Sequence, residues 1–116
     1  MSTSQLPPEL QSKVTEYQQA QNQLRQLRVQ IEAVNRQSAE MRSTLKDLEK
    51  ADSNLEIYKM TGNVMFRSTL EKVKADLQEN VEFSDIKLQK WKKEEDRLSK
   101  RTEVLAHDLR EALPQE

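Results

Sequence analysis

Apolar residues recur at steps of three and four positions along two long segments of the chain. Steps of this size bring apolar side chains to one face of an α-helix and form the seam of a coiled coil. The pattern predicts one helix over about residues 8–52 and a second over about residues 69–113. In the first segment the apolar seam comprises Leu10, Val14, Tyr17, Leu24, Leu27, Ile31, Val34, Met41, Leu45, Leu48 and Leu55, with polar residues at Gln21, Ser38 and Asp52. In the second it comprises Leu70, Val73, Leu77, Val81, Leu88, Trp91, Leu98, Leu105 and Leu109, with polar residues at Ser84, Glu95 and Thr102.

The two predicted helices have matched lengths, roughly 65–70 Å each at 1.5 Å per residue. Arms of equal length joined by a tight reversal predict an antiparallel helical hairpin with both chain ends at one pole. Folding back pairs residues whose numbers add to about 120, which places Leu27 opposite Trp91 and Val14 opposite Leu105. A parallel dimer or a longer rod is the alternative arrangement.

End signals agree with these two helices. Two prolines followed by an acid at residues 7–9 suit a first helical turn, where proline is tolerated and the helix dipole favours negative charge. A Ser-Asn pair at residues 53–54 favours an end to the first helix. Residues 68–71 match a capping box that would open the second helix, and Pro114 would close it.

Between the helices lies a short segment with the composition of a β-hairpin, over about residues 56–67. Two runs rich in β-branched, aromatic and other apolar residues flank Thr61-Gly62-Asn63, which contains the only glycine of the chain. Either Thr61-Gly62 or Gly62-Asn63 can form the centre of the turn, and the choice decides the register. Alternation along the strands predicts apolar residues on both faces, with Tyr58, Met60 and Met65 on one face and Ile57, Val64 and Phe66 on the other.

An isolated two-stranded hairpin is marginally stable in water, and two apolar faces with two free edges favour association. We therefore expect its strands to pair with strands of other subunits in a larger sheet or barrel, which would cover the edges. Folding of the hairpin onto its own helices is the alternative. The expected oligomer interface consists of Ile57, Tyr58, Met60, Gly62, Val64, Met65 and Phe66. The fold class is thus mainly α, a long antiparallel two-helix coiled coil with one central β-hairpin, and all 116 residues form a single domain.

Composition agrees with narrow apolar seams rather than a thick core. Hydrophobic residues make up 34% of the chain and charged residues another 34%. Disorder is the alternative for such a composition, but the strict spacing and a net charge of only −1 argue against it. Near-neutral charge also argues against nucleic acid as a partner, because the most basic stretch, residues 87–101, carries acids in its middle.

No feature of the sequence indicates a membrane span, a signal peptide or an enzyme. There is no run of 18 apolar residues, and we expect a cytoplasmic protein. The chain has no cysteine, and no nucleophile with a base, glycine-rich phosphate loop or catalytic carboxylate pair is present. His107 is the only histidine and is interpreted as a solvent-exposed polar residue rather than a metal ligand. We therefore expect no catalytic, cofactor or metal site.

Leucines near the two chain ends form a second candidate site. At the frayed ends of a two-helix hairpin no third element covers these side chains, so they would keep exposed apolar surface. The alternative is that they close the ends of the coiled coil. The residues at these ends are Leu6, Leu10, Val14, Leu105, Leu109 and Leu113.

The segment Tyr58-Lys59-x-x-Gly62-x-Val64, placed between two coiled-coil arms of comparable length, resembles the beta class of prefoldin subunits. The similarity covers essentially the whole chain. Members of the family often have two aliphatic residues after the valine, where this chain has Met65 and Phe66. Alpha-class relatives carry two hairpins in a longer chain, which does not fit the single hairpin predicted here.

The resemblance implies a hexamer of two alpha-class and four beta-class subunits whose hairpins build a central β-barrel platform. It implies that unfolded client proteins bind at the coiled-coil tips, so the candidate client-binding residues are Leu6, Leu10, Val14, Leu105, Leu109 and Leu113. It also implies delivery of those clients to a chaperonin without ATP or any other cofactor. The expected function is that of an ATP-independent holdase subunit. The alternative is a structural or adaptor coiled coil that recruits one defined helical partner.

Overall fold

The computed structural model describes residues 6–113, which form two long helices and a β-hairpin. Helix α1 spans Pro8–Glu49, strand β1 Ile57–Thr61, strand β2 Val64–Ser68 and helix α2 Leu70–Ala112. The two strands pair antiparallel and form a two-stranded sheet. The predicted order and type of the elements, and with them the fold class, are confirmed.

Contacts group the described residues into two compact units. We call residues 6–32 and 90–113 the terminal unit, and residues 33–89 the hairpin unit. The terminal unit contains the first part of α1 and the last part of α2. The hairpin unit contains both strands and the adjoining parts of the two helices.

In the terminal unit, ion pairs between the helices show that α1 and α2 run antiparallel. Lys13 Nζ lies 3.9 Å from Asp108 Oδ2, and Arg28 Nε lies 3.3 Å from Glu95 Oε2. From the first pair to the second, the residue number rises on α1 and falls on α2, as an antiparallel arrangement requires. The two numbers of each pair add to a value close to the predicted 120. The buried apolar side chains of this unit are 2 to 8% exposed and belong to Ala20, Leu24, Ile31, Leu98, Leu105 and Leu109.

The hairpin unit has a thinner core. Its buried side chains are Val81, Leu88 and one polar residue, Ser38, which is only 2% exposed. The Oγ of Ser38 has no hydrogen-bond partner among the described residues. Across the two helices of this unit, Arg42 Nη2 donates hydrogen bonds to both carboxylate oxygens of Asp85, at 2.7 and 2.5 Å.

Helix α1 ends at Glu49, three residues before the predicted end at Asp52. The backbone amides of Lys50 and Ala51 bond to carbonyl groups three residues back, at 3.3 and 3.2 Å, which tightens the last turn. The side chain of Asp52 then accepts a hydrogen bond from the backbone amide of Asn54, at 3.0 Å. Local bonds of this kind compete with the helix, and they explain the early end.

Leu55 and Asp52 do not belong to the helical seam, and their assignment to it was wrong. The backbone amide of Leu55 bonds to the carbonyl group of Asp52, at 3.0 Å, and closes a turn outside the helix. The helical period therefore stops before Leu55, whose side chain is 50% exposed.

The start of α2 also differs from the prediction by one residue. Thr69 precedes the helix, and its Oγ1 accepts a hydrogen bond from the backbone amide of Lys72, at 3.2 Å. Thr69 is therefore the N-cap. The predicted capping box between Ser68 and Glu71 was wrong, because the residue three positions after this N-cap is Lys72, which has no side-chain acceptor for the reciprocal bond. Ser68 is instead the last residue of β2.

Candidate functional site

The turn of the hairpin is formed by Gly62 and Asn63. The register pairs Thr61 with Val64, so only these two residues lie between the strands. Gly62 has a φ of +59°, and no other described residue has a positive φ. A positive φ at the first central residue alone is typical of a type II′ turn, whose twist matches that of the flanking strands. The structure thus decides the register that the sequence left open.

Both faces of the hairpin carry large apolar side chains that the described chain leaves exposed. Directly paired residues share a face of the sheet, and the faces alternate along each strand. We call the side with Tyr58, Met60, Met65 and Arg67 the methionine face, and the side with Ile57, Lys59, Thr61, Val64, Phe66 and Ser68 the phenylalanine face. Exposed fractions on the methionine face are 55% for Tyr58, 67% for Met60 and 59% for Met65. On the other face they are 62% for Val64 and 45% for Phe66.

Two ion pairs connect the strands to residues outside them. Lys59 Nζ lies 3.3 Å from Asp76 Oδ2 on α2, which draws the phenylalanine face toward the start of that helix. Arg67 Nη2 lies 3.0 Å from Glu56 Oε1, just before β1. All four side chains are 47 to 69% exposed, so the pairs are accessible to solvent.

Backbone hydrogen-bonding groups point outward along both edges of the hairpin. In a two-residue turn the residues that flank it are joined by a hydrogen bond, and antiparallel pairs then alternate between bonded and non-bonded. The non-bonded residues direct their amide and carbonyl groups away from the hairpin. They are Tyr58 and Met60 on β1 and Met65 and Arg67 on β2, all with side chains on the methionine face.

The candidate client-binding leucines lie in the terminal unit but differ in exposure. Leu105 and Leu109 are each 8% exposed and form part of the seam between the helices. The remaining four, Leu6, Leu10, Val14 and Leu113, are half-buried. The structure thus divides the six residues into two that are covered by the chain itself and four that keep accessible surface.

Several titratable side chains in the described part of the chain form surface ion pairs, among them Glu94 with Arg97. The hydrogen bonds from Arg97 hold the pKa of the Glu94 carboxyl below its ordinary value. His107 is exposed. Within residues 6–113 no group of three or more metal-ligating side chains is gathered, and neither helix is long and apolar enough to cross a membrane.

Some features escaped the sequence analysis. Ala20 is 2% exposed and contributes to the seam, although its small side chain did not stand out in the apolar pattern. Phe83 and Ile86 are 66 and 68% exposed on α2, away from the seam. The strand cations Lys59 and Arg67 were also missed, although alternation alone assigns them to opposite faces.

Two antiparallel helices connected by one exposed β-hairpin place the chain in the class of coiled-coil hairpin proteins. The edges of its two-stranded sheet have backbone groups available for pairing with further strands. A family model described as "Prefoldin subunit" matches residues 11–116. The chain therefore belongs to the prefoldin subunit family, a family of chaperone subunits rather than enzymes.

Individual relatives point to the beta subunits. The chain is 30% identical to prefoldin subunit beta of Methanothrix thermoacetophila over 113 residues, which cover 97% of this chain and 94% of the relative. It is 28% identical to prefoldin subunit beta of Methanosarcina acetivorans over 111 residues, 96% and 95% of the two chains. The crystal structure of the prefoldin beta subunit from Thermococcus strain KS-1 has a similar fold, with a TM-score of 0.82, 24% identity and coverage of 95% and 96%. The resemblance predicted from the sequence is confirmed.

Proposed function

We propose that this chain is a beta-class subunit of a cytoplasmic, ATP-independent holdase. It assembles through its hairpin with alpha-class subunits, in a hexamer of two alpha and four beta chains. The complex captures unfolded proteins at the ends of its coiled coils and passes them to a chaperonin. The observation that carries the proposal is the exposure of 45 to 67% for the large apolar side chains on both faces of the hairpin.

Exposed apolar surface on a two-stranded sheet supports assembly for two reasons. A sheet of two strands gains little stability by itself, because it buries too little apolar area. Burial of one large apolar side chain contributes about 1.5–3 kcal/mol, so covering Met60, Met65 and Phe66 would supply substantial free energy. Strands added at the edges would also satisfy the outward amide and carbonyl groups of the hairpin.

Capture of clients is supported by the four half-buried residues Leu6, Leu10, Val14 and Leu113, which lie near the start of α1 and the end of α2. Each exposes part of an apolar side chain, so each contact with a client contributes less than the roughly 1.5–3 kcal/mol of full burial. A single coiled-coil end would then bind a client with millimolar affinity or weaker. Several ends on one platform act together, and their avidity gives useful binding if one client reaches more than one of them.

The assembly step is tested by mixing the chain with an alpha-class prefoldin subunit and weighing the products by native mass spectrometry. We expect a complex of two alpha and four beta chains from the wild type. The variant Met60→Lys/Val64→Lys/Phe66→Lys should remain unassembled, because cations cannot be buried in a strand interface without large desolvation cost. Val104→Lys is the matched control, since Val104 is 59% exposed in the terminal unit. Full assembly of the hairpin variant would contradict the proposal.

The holdase step is tested by light scattering of chemically unfolded client proteins in the presence of the assembled complex. Suppression of aggregation for several unrelated clients supports the proposal. Binding of one fixed partner with a defined stoichiometry, and no effect on aggregation, would favour an adaptor instead. Transfer to a chaperonin is measured as recovery of client activity after the chaperonin is added.

A further inference from the structure

The two strands of the hairpin carry a net charge of +2. Among their ten residues the only ionisable side chains of definite charge are Lys59 on β1 and Arg67 on β2, and neither strand contains an acid. The register places these cations on opposite faces, so each face of the hairpin presents one. Charged residues, and lysine above all, are a common means by which edge strands avoid pairing with copies of themselves.

The acids that accompany these cations lie outside the strands and are exposed. Asp76 is 53% exposed and Glu56 is 61% exposed. Ion pairs at such exposure contribute little to stability and are readily rearranged. Both cations are therefore available to an acidic group that a neighbouring strand would bring.

The strands of a second copy of this chain bring no such acid. Lys59 is the middle residue of β1, so full antiparallel overlap of two β1 strands places the two lysines directly opposite each other. In full overlap of two β2 strands the two Arg67 side chains lie on one face as diagonal neighbours, about 7–8 Å apart. Directly opposite residues are about 4.5–5.5 Å apart at Cβ. The lysine pair and the arginine pair are therefore both within the Debye length of about 8 Å at physiological salt, so salt screens their repulsion only partly. Pairing of β1 with β2 of a copy offers neither cation an acid from the strands.

We infer that Lys59 and Arg67 determine which strand completes this hairpin. The partner is a strand of a different subunit that carries an acidic side chain facing Lys59 or Arg67, and a second copy of this chain is disfavoured. The inference rests on the proposed function, since it specifies the partner of the same hairpin.

A charge-swapped chain tests this directly. The changes Glu56→Arg, Lys59→Glu, Arg67→Glu and Asp76→Lys reverse the charge of both strands while each in-chain ion pair is kept with its signs exchanged. The net charge of the protein stays at −1. Arg42→Glu/Asp85→Lys is the matched control, because it reverses an ion pair of the hairpin unit without altering the strands.

Self-association and mixed association are measured by native mass spectrometry and sedimentation, with one chain isotopically labelled. We expect wild-type and charge-swapped chains to form mixed oligomers about tenfold more tightly than either chain pairs with itself. The preference should vanish at 1 M salt, where the Debye length is about 3 Å. The control variant should mix with the wild type without preference. Lys59→Gln/Arg67→Gln, which removes the repulsion and makes no new charge, should self-associate more tightly than the wild type.

Two results separate this inference from the proposed function. One outcome is that the wild type assembles with an alpha-class subunit while wild-type, charge-swapped and mixed samples all associate equally tightly. That result would overturn the inference that charge selects the partner strand, and the proposed assembly through the hairpin would stand. If the neutral variant self-associates no more than the wild type, charge selection is likewise overturned. Failure of the wild type to assemble with an alpha-class subunit would overturn the proposed function, and this inference with it.

Discussion

Thr61 lies directly opposite Val64 across the hairpin, so the chain reverses within Gly62 and Asn63 alone. Gly62 adopts a φ of +59°, a conformation that residues with a Cβ rarely occupy. A Cβ built at this position would meet no atom within 4 Å. The requirement for glycine is therefore one of backbone conformation and not of space.

Substitution of Gly62 should weaken assembly more than it affects the helices. We expect Gly62→Ala to destabilise the turn by about 1–2 kcal/mol, the cost of a left-handed conformation for an L-residue. Titration with an alpha-class subunit would then show roughly tenfold weaker assembly, with an unchanged helical signal in circular dichroism. Asn63→Ala is the control, because Asn63 has a negative φ. If Gly62→Ala and Asn63→Ala bind the alpha-class subunit with equal affinity, alanine at position 62 does not strain the turn.

Ser38 is expected to limit the stability of the hairpin unit. Its hydroxyl is buried without a hydrogen-bond partner among the described residues, and an unsatisfied buried polar group costs about 1–3 kcal/mol. Ser38→Ala removes that group with little change in volume, so we expect thermal unfolding to shift upward by several degrees. The measurement is the Tm of the isolated chain by circular dichroism.

The control for this effect is Ser43→Ala, at an exposed position of the same helix. Both substitutions gain the same intrinsic helix propensity, so their difference reports the buried hydroxyl alone. A smaller increase in Tm for Ser38→Ala than for Ser43→Ala would show that the Ser38 hydroxyl is satisfied in solution.

The features that the sequence predicted well are those set by a repeating period. Steps of three and four fixed the seam, including buried Leu24, Ile31 and Leu98, because a helical period decides which side faces the partner helix. Alternation fixed the faces of the hairpin in the same way. Such periods are properties of many residues together and tolerate single exceptions.

The features that the sequence did not predict depend on single local interactions or on contacts between distant residues. The end of α1 depends on one hydrogen bond from Asn54 to the Asp52 side chain, which no period reveals. The ion pair of Lys59 with Asp76 joins a strand to a helix 17 residues away, so it requires the tertiary structure. Likewise, Leu109 and Leu10 look alike in sequence, and only packing of the helices makes one buried and the other half-buried.

The ion pair between Arg42 and Asp85 should report the alignment of the two helices in the hairpin unit. One guanidinium nitrogen donates to both carboxylate oxygens, and the side chains are 55 and 43% exposed. Exposed pairs of this kind are coupled by about 0.2–1 kcal/mol. A double-mutant cycle with Arg42→Ala and Asp85→Ala should give a coupling in this range at low salt and less at high salt. No coupling at any salt concentration would show that this ion pair does not persist in solution.

The six candidate client-binding residues should separate into two groups by experiment. Replacement of buried Leu105 and Leu109 by alanine creates cavities and is expected to cost about 2–5 kcal/mol each, which lowers the Tm of the chain. Replacement of half-buried Leu6 and Leu10 by serine removes accessible apolar surface and should alter the Tm much less. We therefore expect Leu6→Ser/Leu10→Ser to retain the assembled complex and lose most of its suppression of client aggregation.

The comparison must be made below the Tm of the alanine variant, where both complexes remain folded. Under that condition Leu105→Ala/Leu109→Ala should suppress aggregation nearly as well as the wild type, because the chain itself covers those side chains. Assembly is verified by native mass spectrometry and suppression by light scattering at equal concentrations of complex. Unchanged suppression by Leu6→Ser/Leu10→Ser would exclude these leucines from client binding and direct attention to other exposed apolar residues, such as Val29, which is 63% exposed in the same unit.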